Sequence, residues 1–333
     1  MDDPNLLPVQ QQQSSFGLAD LELMHKFSTE TYKSLCNDPS DYDAWQIIIP
    51  QKALECDFLL NGVLAVGALH RATTAVDAPA ALPYVDTALQ YYNRAFAPFQ
   101  QALDNLTPLN CEAVFAHSII ITVISVALPQ FTTERNKSPG MTETIIVIFE
   151  LLQGVKRIMN ISKPWLKAKL FTRRHDFLRD PVPDPETLNS IIPETGLAFA
   201  KLSNLNNTLA SFDPEQHHIN KESISLLCRC YTRYATTKEP SAVLTWISAV
   251  GKDFVHCLRR RQPFPLLILM HWGVLLGELD GEMRWARDSG KALAAELLIA
   301  LPTVMFSGTG HSCGRRRGLA SDSKFKLLSR FHE

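Results

Sequence analysis

The amino-acid sequence predicts an all-α fold, an irregular multi-helix array around one buried apolar helix, and three observations carry that expectation. The first is the run from Gln262 to Leu276, QPFPLLILMHWGVLL, which is apolar on every side and broken only by His271. A helix of that kind has to be covered by other helices. Pro263 and Pro265 mark its start, because a first helical turn tolerates proline and the interior does not. The second is period: segment after segment places apolar residues three or four apart, the spacing of a helix face. The third is the lack of strand alternation bounded by turn residues, and of any clean repeat at a fixed period.

Taken in order, Met1 to Ser15 is glutamine-rich and proline-flanked, so residues 1–17 read as a disordered tether. Leu18 to Leu35 then forms an amphipathic helix with Leu21, Met24, Phe27, Tyr32 and Leu35 inward and Asp20 near its start. Asn37 to Asp43 is a turn, and Ala44 to Gln51 an irregular or short helical connection. Asp57 to Thr74, DFLLNGVLAVGALHRATT, is apolar on most faces, and its Gly62, Gly67 and Ala68 admit a second helix at close range. Pro79 and Pro83 bound a loop before a helix from Val85 to Leu103, whose Tyr91, Tyr92, Phe96 and Phe99 supply the packed face. Cys111 to Leu128 is rich in β-branched residues, yet its length and the lack of partner strands favour helix. Met141 to Ile161 follows, with Ile145, Ile148, Leu151, Leu152, Val155 and Ile158 on one face. Ser162 to Pro193 is an irregular connection, and Gly196–Phe212, Ser223–Tyr234 and Leu244–Leu258 are further helices leading to the apolar one. Residues 18–301 therefore form the domain and 302–333 a tail.

Composition narrows the function classes. With 33 basic against 34 acidic side chains the net charge is −1, so no global field draws the chain to nucleic acid or to an anionic membrane. Its 46% hydrophobic content supports a sizeable core. The cysteines at 36, 56, 111, 228, 230, 257 and 313 have neither disulfide-scaffold nor zinc-site spacing, which fits reduced thiols in the nucleus or cytoplasm. The N-terminus lacks the basic and then apolar pattern of a secretory signal, and the longest apolar run, Ser118 to Leu128, is too short for a membrane span.

Chemical motifs are sparse. The chain contains no G-x-G-x-x-G, G-x-x-x-x-G-K-[ST], G-x-S-x-G or H-E-x-x-H, so no catalytic residue and no cofactor is nominated. His217 and His218 ahead of Cys228 and Cys230 match no common zinc geometry, and no metal is expected. His70 and His271 each interrupt an apolar helix, where a histidine either bonds a backbone carbonyl or orients a ligand hydroxyl. Arg259, Arg260 and Arg261 end a helix, where positive charge suits the dipole better than they suit a phosphate. GRRRG at Gly314 to Gly318 is a weak basic motif.

Three stretches together resemble the C-terminal regulatory domain of fungal zinc-cluster transcription factors, in the branch like the sterol uptake control protein: Leu18 to Leu35, FLLNGVLAVGALHRA at Phe58 to Ala72, and WISAVGKDFVHCLRRRQPFPLLILMHWGVLLGEL at Trp246 to Leu279. LLQGVKRIM at Leu151 to Met159 also fits, so the resemblance spans about Leu18 to Leu301. It implies an all-helical domain that binds a sterol or similar hydrophobe and controls transcription, with a protein partner or a second copy. Two features depart from the family. The chain carries no six-cysteine zinc cluster, so autonomous sequence-specific DNA binding is not expected. After Ala300 the sequence is unlike the family's tryptophan-rich end. The implied role is regulation of a sterol or secondary-metabolite pathway, and the alternatives are an enzyme built on the same helical pocket or an interaction protein without one. An apolar pocket is expected beside the Pro263 to Leu276 helix, with His271, Trp272, Leu275 and His70 as ligand-binding residues.

Ser307 to Asp322 has four glycines, three consecutive arginines and little apolar periodicity, too little burial to offset the entropy of ordering it. Limited proteolysis is expected to cut first near Arg315 to Arg317 and to leave a core ending near Leu301 that melts within a few degrees of the intact chain. Protection of those arginines, or loss of the fold on truncation at Pro302, would show a packed tail instead.

Overall fold

The computed structural model describes residues 17–36, 41–131, 140–165, 190–280 and 286–301. The tether and the tail proposed from sequence, and most of the connections at 130–139 and 162–193, lie outside these residues. The described residues hold twelve α-helices and no strand. The N-terminal half contains α1 (Leu18–Thr29), α2 (Ile49–Ala53), α3 (Asp57–Thr73), α4 (Ala78–Asp104), α5 (Cys111–Ala127) and α6 (Met141–Ser162). The C-terminal half contains α7 (Pro193–Asn207), α8 (Pro214–Thr237), α9 (Pro240–Ala249), α10 (Lys252–Arg259), α11 (Pro263–Gly277) and α12 (Ser289–Ala300).

Two large hydrophobic cores result, with a small third cluster of Ala72, Ala81 and Val85. In the C-terminal one α11 is the inner element: it packs on α8, α9, α10 and α12, and every residue from Phe264 to Leu276 except His271 is buried. Pro263 stands in its first turn as expected. Trp246 of α9 and Trp272 of α11 stack at 5.7 Å, with Phe149 and Phe254 edge-on to Trp246. Both indole N–H groups are satisfied, Trp246 donating to the Ser223 carbonyl and Trp272 to that of Val243. Tyr231 and Tyr234 of α8 donate to the carbonyls of His271 and Glu278, fixing the second half of α11. The N-terminal core has its own inner helix, α3, which packs on α1, α2, α4 and α5. The two cores share α6, whose Ile158 belongs to the N-terminal core and Ile145, Ile146, Ile148 and Phe149 to the C-terminal one.

Several sequence expectations change in the structure. The Leu18 to Leu35 helix ends at Thr29 and continues as a 3-10 turn from Thr31 to Ser34; Leu21 is 63% exposed, and Leu23 takes its place inside. Pro79 and Pro83 do not bound a loop but lie within α4. Asp77 caps this helix by accepting from the Ala80 N–H, Pro79 stands in the first turn where no intrahelical N–H is needed, and Pro83 is exposed, so water can take the one carbonyl its ring leaves unbonded. Phe96 is 51% exposed, whereas Tyr91 and Phe99 are buried. The helix drawn from Leu244 to Leu258 is two, broken between α9 and α10 where the extended Val250 and Gly251 start a new N-terminus. Arginines 259–261 do more than face a dipole. Arg261 adopts the left-handed conformation (φ 54°) that ends α10, with Gln262 N–H donating to the Cys257 carbonyl, while Arg259 pairs with Glu150 and Arg261 with Glu143.

Close approach sets how the helices cross. A Cβ on Gly62 would lie 2.5 Å from His117 Nδ1 of α5, and one on Gly67 2.9 Å from the Leu23 carbonyl oxygen of α1. At the other core, a Cβ on Gly290 of α12 would lie 2.4 Å from the Gly277 backbone nitrogen of α11. No Cβ fits at such distances, so Gly62→Ala and Gly290→Ala should each cost about 1–3 kcal/mol. Gly290 sits at the upper end, because its neighbour is backbone and cannot turn aside. Gly154, exposed in α6 with nothing within 4 Å, should show the opposite sign: Gly154→Ala should stabilise by about 0.5–1 kcal/mol. Urea midpoints at unchanged m-value measure all three.

His117 supplies a pH dependence. It is 1% exposed between Phe58 and Phe99, and burial lowers its pKa to about 3. The unfolded chain binds this proton below about pH 6.5, and the folded chain resists it until about pH 3. His117 therefore gives full stability above about pH 6.5 and loses about 1.4 kcal/mol per pH unit as the pH falls below it. His117→Gln should flatten the curve of stability against pH between 6 and 4, and an unchanged slope would count against a neutral buried imidazole.

Candidate functional site

Where α1 ends, the 3-10 turn from Thr31 to Ser34 folds back over α3 and α5 and leaves a cavity of about 320 Å³. That is the lower end of the ~300–1,000 Å³ usual for small-molecule sites. Its apolar wall is Val66 and Leu69 of α3 with Val123 and Ala127 of α5. Its polar side is Thr31, His70 and Thr73, and Glu30, Lys33 and Ser34 stand at the mouth.

The local sequence explains this arrangement. Val66, Leu69, His70 and Thr73 are spaced three, four and seven residues from the first, so they share one face of α3. That face is apolar at its buried end and polar where the helix emerges. Val123 and Ala127 are four apart on α5 and complete the wall. Gly67 lets α1 come against α3, which brings Thr31 over the C-terminal turn of α3. The Thr31 hydroxyl donates to the Lys26 carbonyl at 3.2 Å and lies 2.8 Å from His70 Nδ1. The hydroxyl thus ties the end of α1 to the His70 ring of α3.

The four residues expected to bind a ligand thus separate. His70 lines the cavity. His271, Trp272 and Leu275 lie together on α11 in the C-terminal core, and α11 contributes nothing to this cavity. His271 donates from Nδ1 to the Leu267 carbonyl at 2.8 Å and meets the Phe199 ring edge-on, with burial lowering its pKa against the raising effect of that hydrogen bond. Trp272 and Leu275 are 0% and 1% exposed. Thr31 and Thr73 were not singled out from sequence. Thr73 was legible as one step further along the His70 face, whereas Thr31 reaches the site only through the 3-10 turn.

Other groups of interest resolve as structural. Cys228 and Cys230 are buried along α8, ten residues and more from His217 and His218, and no His, Cys, Asp and Glu cluster among the described residues is placed to hold a metal. Burial pushes the Cys230 thiol up to about 12. The Tyr91 hydroxyl donates to Asp20, joining α4 to α1, and burial first and Asp20 second push Tyr91 up to about 12. No helix among the described residues is long and apolar enough to cross a membrane.

Residues 22–138 match the fungal specific transcription factor domain. This stretch contains α3, α4 and α5 whole and all but the first turn of α1, and therefore every wall of the His70 cavity. Over these residues the chain is similar to a domain of fungal transcription factors, a likeness that points to transcription regulation. α11 and its three candidate residues lie beyond the matched stretch. No curated protein matches the chain.

Proposed function

We propose that the chain is the sensing domain of a nuclear fungal transcription regulator, and that the His70 cavity is where a small hydrophobic effector of a sterol or secondary-metabolite pathway acts. The observation that carries this reading is the position of the cavity: it lies wholly within the matched segment and is lined by three separate elements, the turn after α1, α3 and α5. A guest held there contacts all three at once, so binding favours the arrangement in which α1 is docked. His271, Trp272 and Leu275 act in this reading as core, holding α11 in register. Sequence-specific DNA contact comes from another module or partner, because the net charge is −1 and no zinc-cluster cysteine array is present.

The test fuses the chain to an unrelated DNA-binding domain and reads a reporter in fungal cells with and without a lipophilic extract of the same cells. The extract should change reporter output, and Leu69→Trp, which fills the cavity from its apolar wall, should abolish the change. Retention of the response in a folded Leu69→Trp protein would move the sensor elsewhere, with His271→Leu as the next variant. Multiple turnovers of an extract component by the purified protein would favour the enzyme reading instead.

A further inference from the structure

One row of α4 carries large apolar side chains outward. Leu82, Leu89, Phe96 and Leu103 recur every seven residues and are each 37% to 51% exposed, while Val85, Ala88, Tyr91, Ala95 and Phe99 of the same helix are buried. A step of seven returns to nearly the same side of a helix, so the four make one stripe about 32 Å long. Its surroundings are short of charge: α4 holds three charged side chains, Asp86, Arg94 and Asp104, in 27 residues, against 20% over the whole chain. Large apolar residues on a charge-depleted face mark the centre of an interface rather than a solvated surface. We infer that this stripe binds a second copy of the chain, the two α4 helices pairing antiparallel about a twofold axis between Tyr92 and Asn93.

Spacing points to the partner and charge to the direction. Four positions seven apart read the same from either end, so in the antiparallel pair Leu82 meets Leu103 of the second copy and Leu89 meets its Phe96. Every apolar position then faces another. Parallel, in-register pairing would set Asp86 against Asp86 and Arg94 against Arg94, like charge on like. Reversed, the exposed polar row beside the stripe sets Asp86 against Gln100, whose amide can donate to a carboxylate, and Asn93 against its own copy. Asp104 ends α4, where its own helix dipole opposes a negative charge, and the reversed partner brings its positive N-terminal end there. A contact about 32 Å long and one helix wide (~10–12 Å) is small beside the ~800 Å² per partner of a standard interface, so the association is weak and reversible. α4 contributes no residue to the His70 cavity, so this inference stands or falls apart from the sensor reading.

Sedimentation of the full chain over about 1–300 µM should show reversible monomer–dimer exchange with a Kd of about 10–100 µM. Leu89→Lys alone and Phe96→Asp alone each place a charge against an apolar residue of the second copy and should raise that Kd more than tenfold. Mixed one to one, the two variants should associate again within about threefold of the original Kd, because antiparallel pairing sets the introduced cation against the introduced carboxylate and parallel pairing does not. Leu82→Lys and Leu103→Asp repeat the exchange at the outer pair and carry the test if an inner variant fails to melt cooperatively. A chain that stays monomeric throughout, or a dimer indifferent to all four substitutions, overturns the inference. Variants that dissociate singly and do not recover on mixing overturn the antiparallel register.

Discussion

The approach of α3 to α1 and α5 at distances that exclude a Cβ is the constraint on which the N-terminal half depends. Backbones that close let van der Waals contact run along whole helices, but they leave no tolerance at Gly62 or Gly67. The same closeness buries His117 with a neutral ring and aims the turn after α1 at the polar end of α3. The cavity is therefore a by-product of tight packing on either side of it. α3 is held rigidly at its small residues, and space opens where Val66 to Thr73 emerge from that contact.

The C-terminal half solves its packing differently. Its inner helix is large-residue and fully enclosed, and the buried indoles of Trp246 and Trp272 would be costly if their N–H groups lacked acceptors; each finds a backbone carbonyl. Truncating either indole would open a cavity of the kind that costs about 3–5 kcal/mol. α6 joins the halves, since one end lies in each core and Gln153 between them donates to the Val250 carbonyl. A change in how α5 sits on α6 has a short, well-packed route to α11.

Much of this was legible in the residues, for reasons that differ by element. α11 announced itself because an apolar stretch of fifteen residues with proline at its front has few other stable outcomes. Gly62 and Gly67 read as contact points because small residues on an apolar helix have little other use. Periodicity misled where two faces were both apolar. Leu21 and Phe96 fit a helical stripe as well as Leu23 and Phe99 do, and only the partner helix decides which stripe is covered. Pro83 misled because a proline's local signal says stop, while a capped 27-residue helix loses little by forgoing one exposed hydrogen bond. Of the cavity, His70 was readable as a polar interruption at a helix end. Thr31 was not, because its place depends on a turn of four residues and a contact across 39 positions of sequence.

Glu296 shows how assembly order is written into the fold. Gly140, just ahead of α6, has no side chain to cap the first turn, and the Glu296 carboxylate of α12 accepts from the Thr142 N–H across 154 positions. A ribosome makes α12 long after α6, so the first turn of α6 waits for its acceptor throughout the synthesis of the second half. The walls of the His70 cavity need no such delay: every one of them has been translated by Ala127. The nascent chain can thus close the walls of this cavity while the bridge to the rest is still unfinished, so the N-terminal core sets its shape before the C-terminal core exists.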